Sequence, residues 1–224
     1  MPHPRLMLAA LAASLSVSAG AQPSPELTLH YDEPAAVWTE ALPVGNGRRG
    51  AMVFGGPGED LLQLNEATLW SGGPVGSKVN PGAFDALGKV REALAREDYA
   101  QAYTLSRQMQ GRYTQSFLPL GDLHLRQDFK RGAVTGYRRA LDIRNGIQTT
   151  SFTAGGVGYR REVFASNPDQ VIVVRLQADQ PRRISLDLQA SSPLRSASTV
   201  EQGVLRLSGK APAQVDPNYV RDNA

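Results

Sequence analysis

Apolar and polar positions alternate in short bursts along most of this chain. Leu27-Thr28-Leu29-His30-Tyr31 alternates with the period of two that marks a half-buried strand. Ala51-Met52-Val53-Phe54 and Leu61-Leu62-Gln63-Leu64 are two apolar runs parted by Gly55-Gly56-Pro57-Gly58, which predicts a hairpin with a glycine-rich loop. From position 120 onward the pattern is all strand and turn. Candidate strands fall at 122–129, 137–143, 147–153, 159–166, 170–178, 184–190 and 203–207. Turn residues such as Arg144-Asn145-Gly146, Gly155-Gly156 and Asn167-Pro168-Asp169 lie between them. Val171-Ile172-Val173-Val174 is apolar on both faces and predicts a central strand covered on both sides.

A helical island interrupts the strands. Asn80-Pro81 reads as an N-cap followed by proline at the first helical position, and Phe84, Leu87, Val90 and Leu94 recur at near-helical spacing. A second helix is expected from Asp98, with Tyr99, Ala102, Tyr103 and Met109 on its inner face and the pair packed on a sheet edge. Short strands at regular spacing exclude alternating βαβ units. The expected fold is therefore mainly β, an antiparallel β-sandwich with a short helical insertion at about 81–109.

A length of 224 residues suits one large or two small domains, and a formal charge of +3 with no Lys/Arg run beyond two speaks against nucleic acid as a partner. Residues 1–21 read as a secretory signal peptide: Arg5 is the positive end, an apolar stretch follows, and Ala19-Gly20-Ala21 is the small-residue cleavage site. That stretch is shorter than the ~20 residues a membrane span needs, so an exported, periplasmic or secreted protein without a membrane partner is expected. Residues 22–26 form a polar linker, and 27–224 form the sandwich domain. There is no cysteine, which excludes disulfides, thiolate zinc sites and a thiol nucleophile.

Gly45-Asn46-Gly47-Arg48-Arg49-Gly50 fits the spacing of a dinucleotide fingerprint. Leu42-Pro43-Val44 before it has proline in the wrong place for a central parallel strand, and Ala51–Phe54 after it is a strand where a helix would have to bring backbone N–H groups to a pyrophosphate, so nucleotide binding is rejected. The same residues suit a tight turn at a sandwich rim, with Gly45 and Gly47 free to take positive φ and Asn46 a left-handed conformation. Arg48 or Arg49 would then project either toward a sugar or neighbouring domain, or simply into solvent. Asn65-Glu66-Ala67-Thr68-Leu69-Trp70 has no strand period. Trp70 reads either as a stacking platform for a pyranose ring, with Asn65 and Glu66 beside it, or as a plug for the sandwich end. Trp38 reads as core or interface. Glycoside hydrolysis needs two carboxyl groups at a defined separation, and nothing in the spacing of Glu40, Glu66 and Asp122 makes two converge. His30 and His124 are isolated strand residues, and no metal-ligand cluster or Gly-x-Ser-x-Gly elbow occurs. No cofactor and no metal are expected.

Several separated blocks resemble the opening of the α-L-fucosidases of glycoside hydrolase family 95. They are Trp38-Thr39-Glu40-Ala41-Leu42-Pro43-Val44-Gly45-Asn46-Gly47-Arg48, Leu62-Gln63-Leu64-Asn65-Glu66, Thr68-Leu69-Trp70-Ser71-Gly72, Leu118-Pro119-Leu120-Gly121-Asp122-Leu123, Tyr137-Arg138-Arg139, and Arg161-Glu162-Val163-Phe164-Ala165-Ser166. Arg49 departs from the family, which usually has an apolar residue there. The resemblance implies a super-sandwich-like N-terminal module, incomplete at its C-terminus. It also implies that inversion by a glutamic acid, an asparagine-activated water and an aspartate belongs to a later helical barrel, so no catalytic residue is expected here. The implied partners are that helical-barrel catalytic domain and a fucosylated oligosaccharide or plant cell-wall glycan. Asn46, Arg48, Asn65, Glu66 and Trp70 are the candidate substrate-binding residues. Two other readings remain: a free-standing carbohydrate-binding sandwich, and a non-functional truncated remnant.

Overall fold

The structure is a computed structural model and describes residues 27–73, 80–111, 115–129 and 132–215. The expected leader, the linker and the polar tail beyond 215 lie outside these residues.

Twelve strands and two helices follow in chain order: β1 (Thr28–Tyr31), β2 (Leu42–Gly45), β3 (Arg49–Val53), β4 (Glu59–Glu66), α1 (Ala83–Ala95), α2 (Tyr99–Arg107), β5 (Gly121–Arg126), β6 (Val134–Asp142), β7 (Ile147–Ala154), β8 (Val157–Ser166), β9 (Val171–Ala178), β10 (Asp187–Ser191), β11 (Arg195–Glu201) and β12 (Val204–Lys210). They form a five-stranded sheet ordered β1-β6-β7-β8-β9, a second ordered β10-β5-β4-β3-β2, and a β11–β12 ribbon. Every ladder is antiparallel. The mainly β sandwich with a helical insertion is what the alternation predicts.

The two five-stranded sheets face each other through side chains at alternate positions. Val44, Ala51, Val53, Leu62 and Leu125 from the second sheet meet Val163, Ile172 and Val174 from the first. Each fully buried valine or leucine contributes about 1.5–3 kcal/mol relative to exposure. A second cluster, Phe152, Ala154, Val157 and Tyr159, is completed by Phe129 and Tyr137. Within it the Phe129, Phe152 and Tyr159 rings lie 5.0–5.4 Å apart between centroids.

Between these clusters the interior is polar. Arg161, Asp60, Arg139, Gln148 and Thr150 are all at most 2% exposed. The Arg161 guanidinium donates to Asp60 Oδ2 at 2.6 Å and to the Gly56 carbonyl at 3.0 Å, and the Gly55 N–H donates to Asp60 Oδ1 at 2.7 Å. Arg139 donates to the carbonyls of Glu33 and Glu40 at 2.7 and 2.6 Å and lies 4.0 Å from the centre of the Tyr31 ring. Tyr137 Oη donates to the Gly55 carbonyl at 2.8 Å. Gly55 has φ of 80°, and a Cβ there would come within 2.8 Å of Tyr137 Oη, so the hairpin loop is built around glycine at this point.

Three expectations are corrected. β9, which contains Val171 to Val174, is an edge strand and not a central one; its inward Ile172 and Val174 pack on the core while Val171 is exposed. Pro43 lies in β2, an antiparallel strand at the sheet edge, where a missing N–H costs no ladder bond, in keeping with its unsuitability for a central parallel strand. Tyr99 and Tyr103 face outward, as do Phe84 and Leu94. The small residues Ala86, Ala93 and Ala102 occupy the buried positions where α1 and α2 pack on each other. Asn80 does not cap α1, whose N-cap is Gly82; its amide instead donates to the Gln108 and Gln110 carbonyls and clamps the two ends of the helix pair. The second helix starts beside Asp98 as expected, and Asp98 caps it, accepting from the Gln101 N–H at 3.0 Å.

Candidate functional site at the sandwich rim

The β2–β3 turn and the end of β4 meet at one rim. Asn46 Oδ1 accepts from the N–H groups of Arg48 and Arg49 at 3.1 and 2.8 Å, and Asn46 Nδ2 donates to the Ser166 carbonyl at 2.7 Å. The side chain is thus spent on holding the turn and tying it to the first sheet. Only Gly47 takes a positive φ (89°), while Gly45 and Asn46 do not, in contrast to the expectation for the turn. Arg49 folds back, its Nη1 donating to the Gln170 carbonyl. The guanidinium thus finds a backbone acceptor at the residue before β9 of the first sheet.

Arg48 does project. Its side chain is 57% exposed, and Nε donates to Glu66 Oε1 at 2.8 Å. Register places Glu66 opposite Arg49 and Asn65 opposite Gly50, so these residues end β4 as strand positions. Glu66 Oε2 accepts from the Thr68 N–H at 2.8 Å and the Thr68 hydroxyl at 2.5 Å. Those bonds, with the Thr68 hydroxyl foremost and Arg48 next, lower the Glu66 pKa to about 2.

Trp70 is half exposed and does not plug the sandwich. Its indole Nε1 donates to the Ala67 carbonyl at 2.9 Å, and its ring meets Phe117 edge-on at 5.3 Å and 64°. A β-bridge between Trp70 and Phe117 fixes that pair. Arg48, Asn65, Trp70 and Phe117 line a depression of ≈ 410 Å³ over Gly47 and Gly50. The structure therefore brings Arg48, Asn65, Glu66 and Trp70 together, with Asn46 beneath them as scaffold. Phe117 and Thr68 are members that sequence reading passed over. Phe117 directly precedes a block of family-like sequence, and Thr68 stands inside one.

The other carboxylates have structural partners or none in the rim. Glu40 Oε2 accepts from the Ala36 N–H at 2.8 Å, stabilising a 3-10 turn at Trp38–Glu40. Asp60 is sealed between the sheets, where burial pushes its carboxyl pKa up against the opposing pull of Arg161 and the Gly55 N–H. His124 lies on β5 and meets Glu59 at 3.0 Å, and His30 lies on β1.

Residues 29–223 match the family model described as glycosyl hydrolase family 65, N-terminal domain. This chain belongs to that family. It is 36% identical over 174 residues to alpha-L-fucosidase 2 of Arabidopsis thaliana, covering 77% of this chain and 20% of the relative. It is 32% identical over 157 residues to probable alpha-fucosidase A of Aspergillus oryzae, covering 66% and 21%, and 31% identical over 169 residues to its Aspergillus niger namesake, covering 71% and 21%. These relatives are fucosidases, as the family 95 resemblance implies, while the matching model takes its description from family 65. Both lead to an N-terminal domain of an α-fucosidase-like glycoside hydrolase, and the chain spans about a fifth of the length of the relatives it matches.

Proposed function

We propose that this domain is the non-catalytic N-terminal module of an exported α-L-fucosidase-like enzyme, packing on a helical-barrel catalytic domain and lending its rim to the wall of the sugar cleft. The bonding of Glu66 is the observation that carries the reading: Oε1 accepts from Arg48 and Oε2 from Thr68. A glycosidase acid must hold its proton near the working pH. Glu66, with a pKa of about 2, is an anion that orients Arg48. Among the described residues no partner takes the terminal nitrogens of Arg48 or the Asn65 amide, which leaves them to donate to sugar hydroxyls, and Trp70 offers an exposed ring face. The charge, apolar run and A-x-A order of residues 1–21 support export.

The test is turnover of a chromogenic α-L-fucoside by the purified chain. The expected rate equals that of buffer. Turnover above buffer that disappears with Glu66→Gln would make the rim an active site and overturn the non-catalytic reading.

A further inference from the structure

The outer face of the second sheet carries a groove of ≈ 860 Å³ whose floor is set by strand register. Pro43 pairs with Met52, Met52 with Gln63, Gln63 with Asp122, and Asp122 with Ser191. These five residues form one row across all five strands. Their neighbours Leu42, Val53, Leu62 and Val44 are buried on the opposite face, as the alternation of a strand demands. Asn65 lies two residues beyond Gln63 on the same face. Trp38, 58% exposed and carried by the turn before β2, and Phe117, carried by the segment before β5, supply aromatic walls.

The polar residues of this floor are idle. Gln63, Asn65 and Asp122 make no side-chain hydrogen bond to the described residues, although Gln63 and Asp122 are half-buried and adjacent in register. Half-buried amide and carboxylate groups without partners leave hydrogen-bonding capacity unused. The groove also shares Gly50, Asn65 and Phe117 with the rim depression, so the two are continuous.

We propose that this groove is an oligosaccharide-binding site for neutral pyranose units, extending the rim site past Phe117 toward Trp38. A pyranose presents C–H faces that suit Trp38 and Phe117 and hydroxyl edges that suit Gln63, Asn65 and Asp122. The Asp122 carboxylate selects against acidic sugars. The volume lies within the range of small-molecule sites, roughly 300–1,000 Å³. An apolar protein surface laid on the same floor would strand three polar side chains without partners, which disfavours it. The proposal rests on the sugar-facing reading of the rim.

Two tryptophans make the two ends separately observable. In Trp70→Phe the emission comes from Trp38 alone and reports the groove; in Trp38→Phe it comes from Trp70 and reports the rim. The purified chain is titrated with L-fucose and with the neutral trisaccharide 2′-fucosyllactose. Fucose is expected to perturb Trp70 only, and the trisaccharide both reporters. Gln63→Ala with Asp122→Ala is expected to weaken trisaccharide binding about tenfold, the effect of one or two hydrogen bonds, and to leave fucose binding unchanged. If circular dichroism shows that this pair fails to fold, Gln63→Glu and Asp122→Asn take its place at constant size. A trisaccharide that perturbs Trp70 but leaves Trp38 silent overturns the groove while the rim reading stands. Silence of both reporters overturns both. Trp38 emission that changes with protein concentration and not with sugar, together with a dimer on size exclusion, overturns the groove in favour of a second copy of the chain.

Discussion

Two arginine–carboxylate pairs in this domain have similar lengths and opposite surroundings. Arg161 and Asp60 meet at 2.6 Å with both side chains at most 2% exposed, whereas Arg48 and Glu66 meet at 2.8 Å with the arginine 57% exposed. The buried pair is held by backbone: the Gly55 N–H donates to Asp60 and the Gly56 carbonyl accepts from Arg161, while Arg161 Nε has no partner among the described residues. It fixes how the glycine loop sits between the sheets. Among the described residues the exposed pair leaves the terminal donors of Arg48 unspent, beside two aromatic rings. A burial difference alone thus separates a strut from a group available to a ligand. Exposed ion pairs are worth little to stability, while loss of one partner from a buried pair leaves an uncompensated charge.

Removing one partner from each pair tests the contrast. Asp60→Ala should have the largest effect, a loss of about 3–5 kcal/mol read from urea unfolding, because Arg161 then remains buried and unpaired. Arg48→Ala should leave the urea midpoint essentially unmoved; an equal loss for the two variants would erase the distinction. Gly55→Ala should come next, at about 1–3 kcal/mol, since alanine resists the positive φ and its methyl group meets Tyr137. Asn46→Ala should cost about 0.5–1.5 kcal/mol by releasing the rim turn. It should loosen Arg48 without touching the interior, visible as faster amide exchange confined to the 45–50 turn.

The smallest effect is a titration. Thr68→Val should raise the Glu66 pKa further from about 2 than Arg48→Ala does, because the Thr68 hydroxyl is the larger cause of the depression. A carboxyl NMR titration reads both shifts, and the opposite ranking would make Arg48 the controlling group. The sign follows from linkage. A folded pKa below the ordinary 4.5 gives stabilisation that is full above 4.5 and is lost as pH falls toward about 2.

Periodicity reported the frame of this fold and was blind to its interior chemistry. The strands from β3 to β10 follow alternation or apolar runs, because burial of alternate side chains is what makes them strands. β11 escaped notice since all seven of its residues are exposed and, among the described residues, its ladder is with β12 alone, leaving no apolar period to read. The run from Val171 to Val174 misled because apolar residues on two faces do not distinguish a central strand from an edge strand whose outer face also carries Val173 opposite Phe164. The outward tyrosines of α2 misled for a related reason: helix spacing marks a face, and the alanines won the tight inter-helix contact. Arg139 and Arg161 look like surface residues in a strand of mixed character. Asp60, the glycine loop and the carbonyls of Glu33 and Glu40, all distant in sequence, explain their burial. At the rim, residue types pointed to Arg48, Asn65, Glu66 and Trp70, but the division of labour between Asn46 as scaffold and Arg48 as the free donor is a matter of hydrogen-bond geometry.

The buried arginines also turn the domain into its own proteolytic clock. Trypsin cuts after arginine, yet the bonds following Arg139 and Arg161 are out of its reach while the sheets remain together, since both side chains are at most 2% exposed. Arg182, exposed in the turn after β9, lies open to it in the native state. Cleavage after 182 therefore counts local fraying, and cleavage after 139 or 161 counts full separation of the sandwich. One digest followed over time resolves the two levels of opening from fragment masses alone.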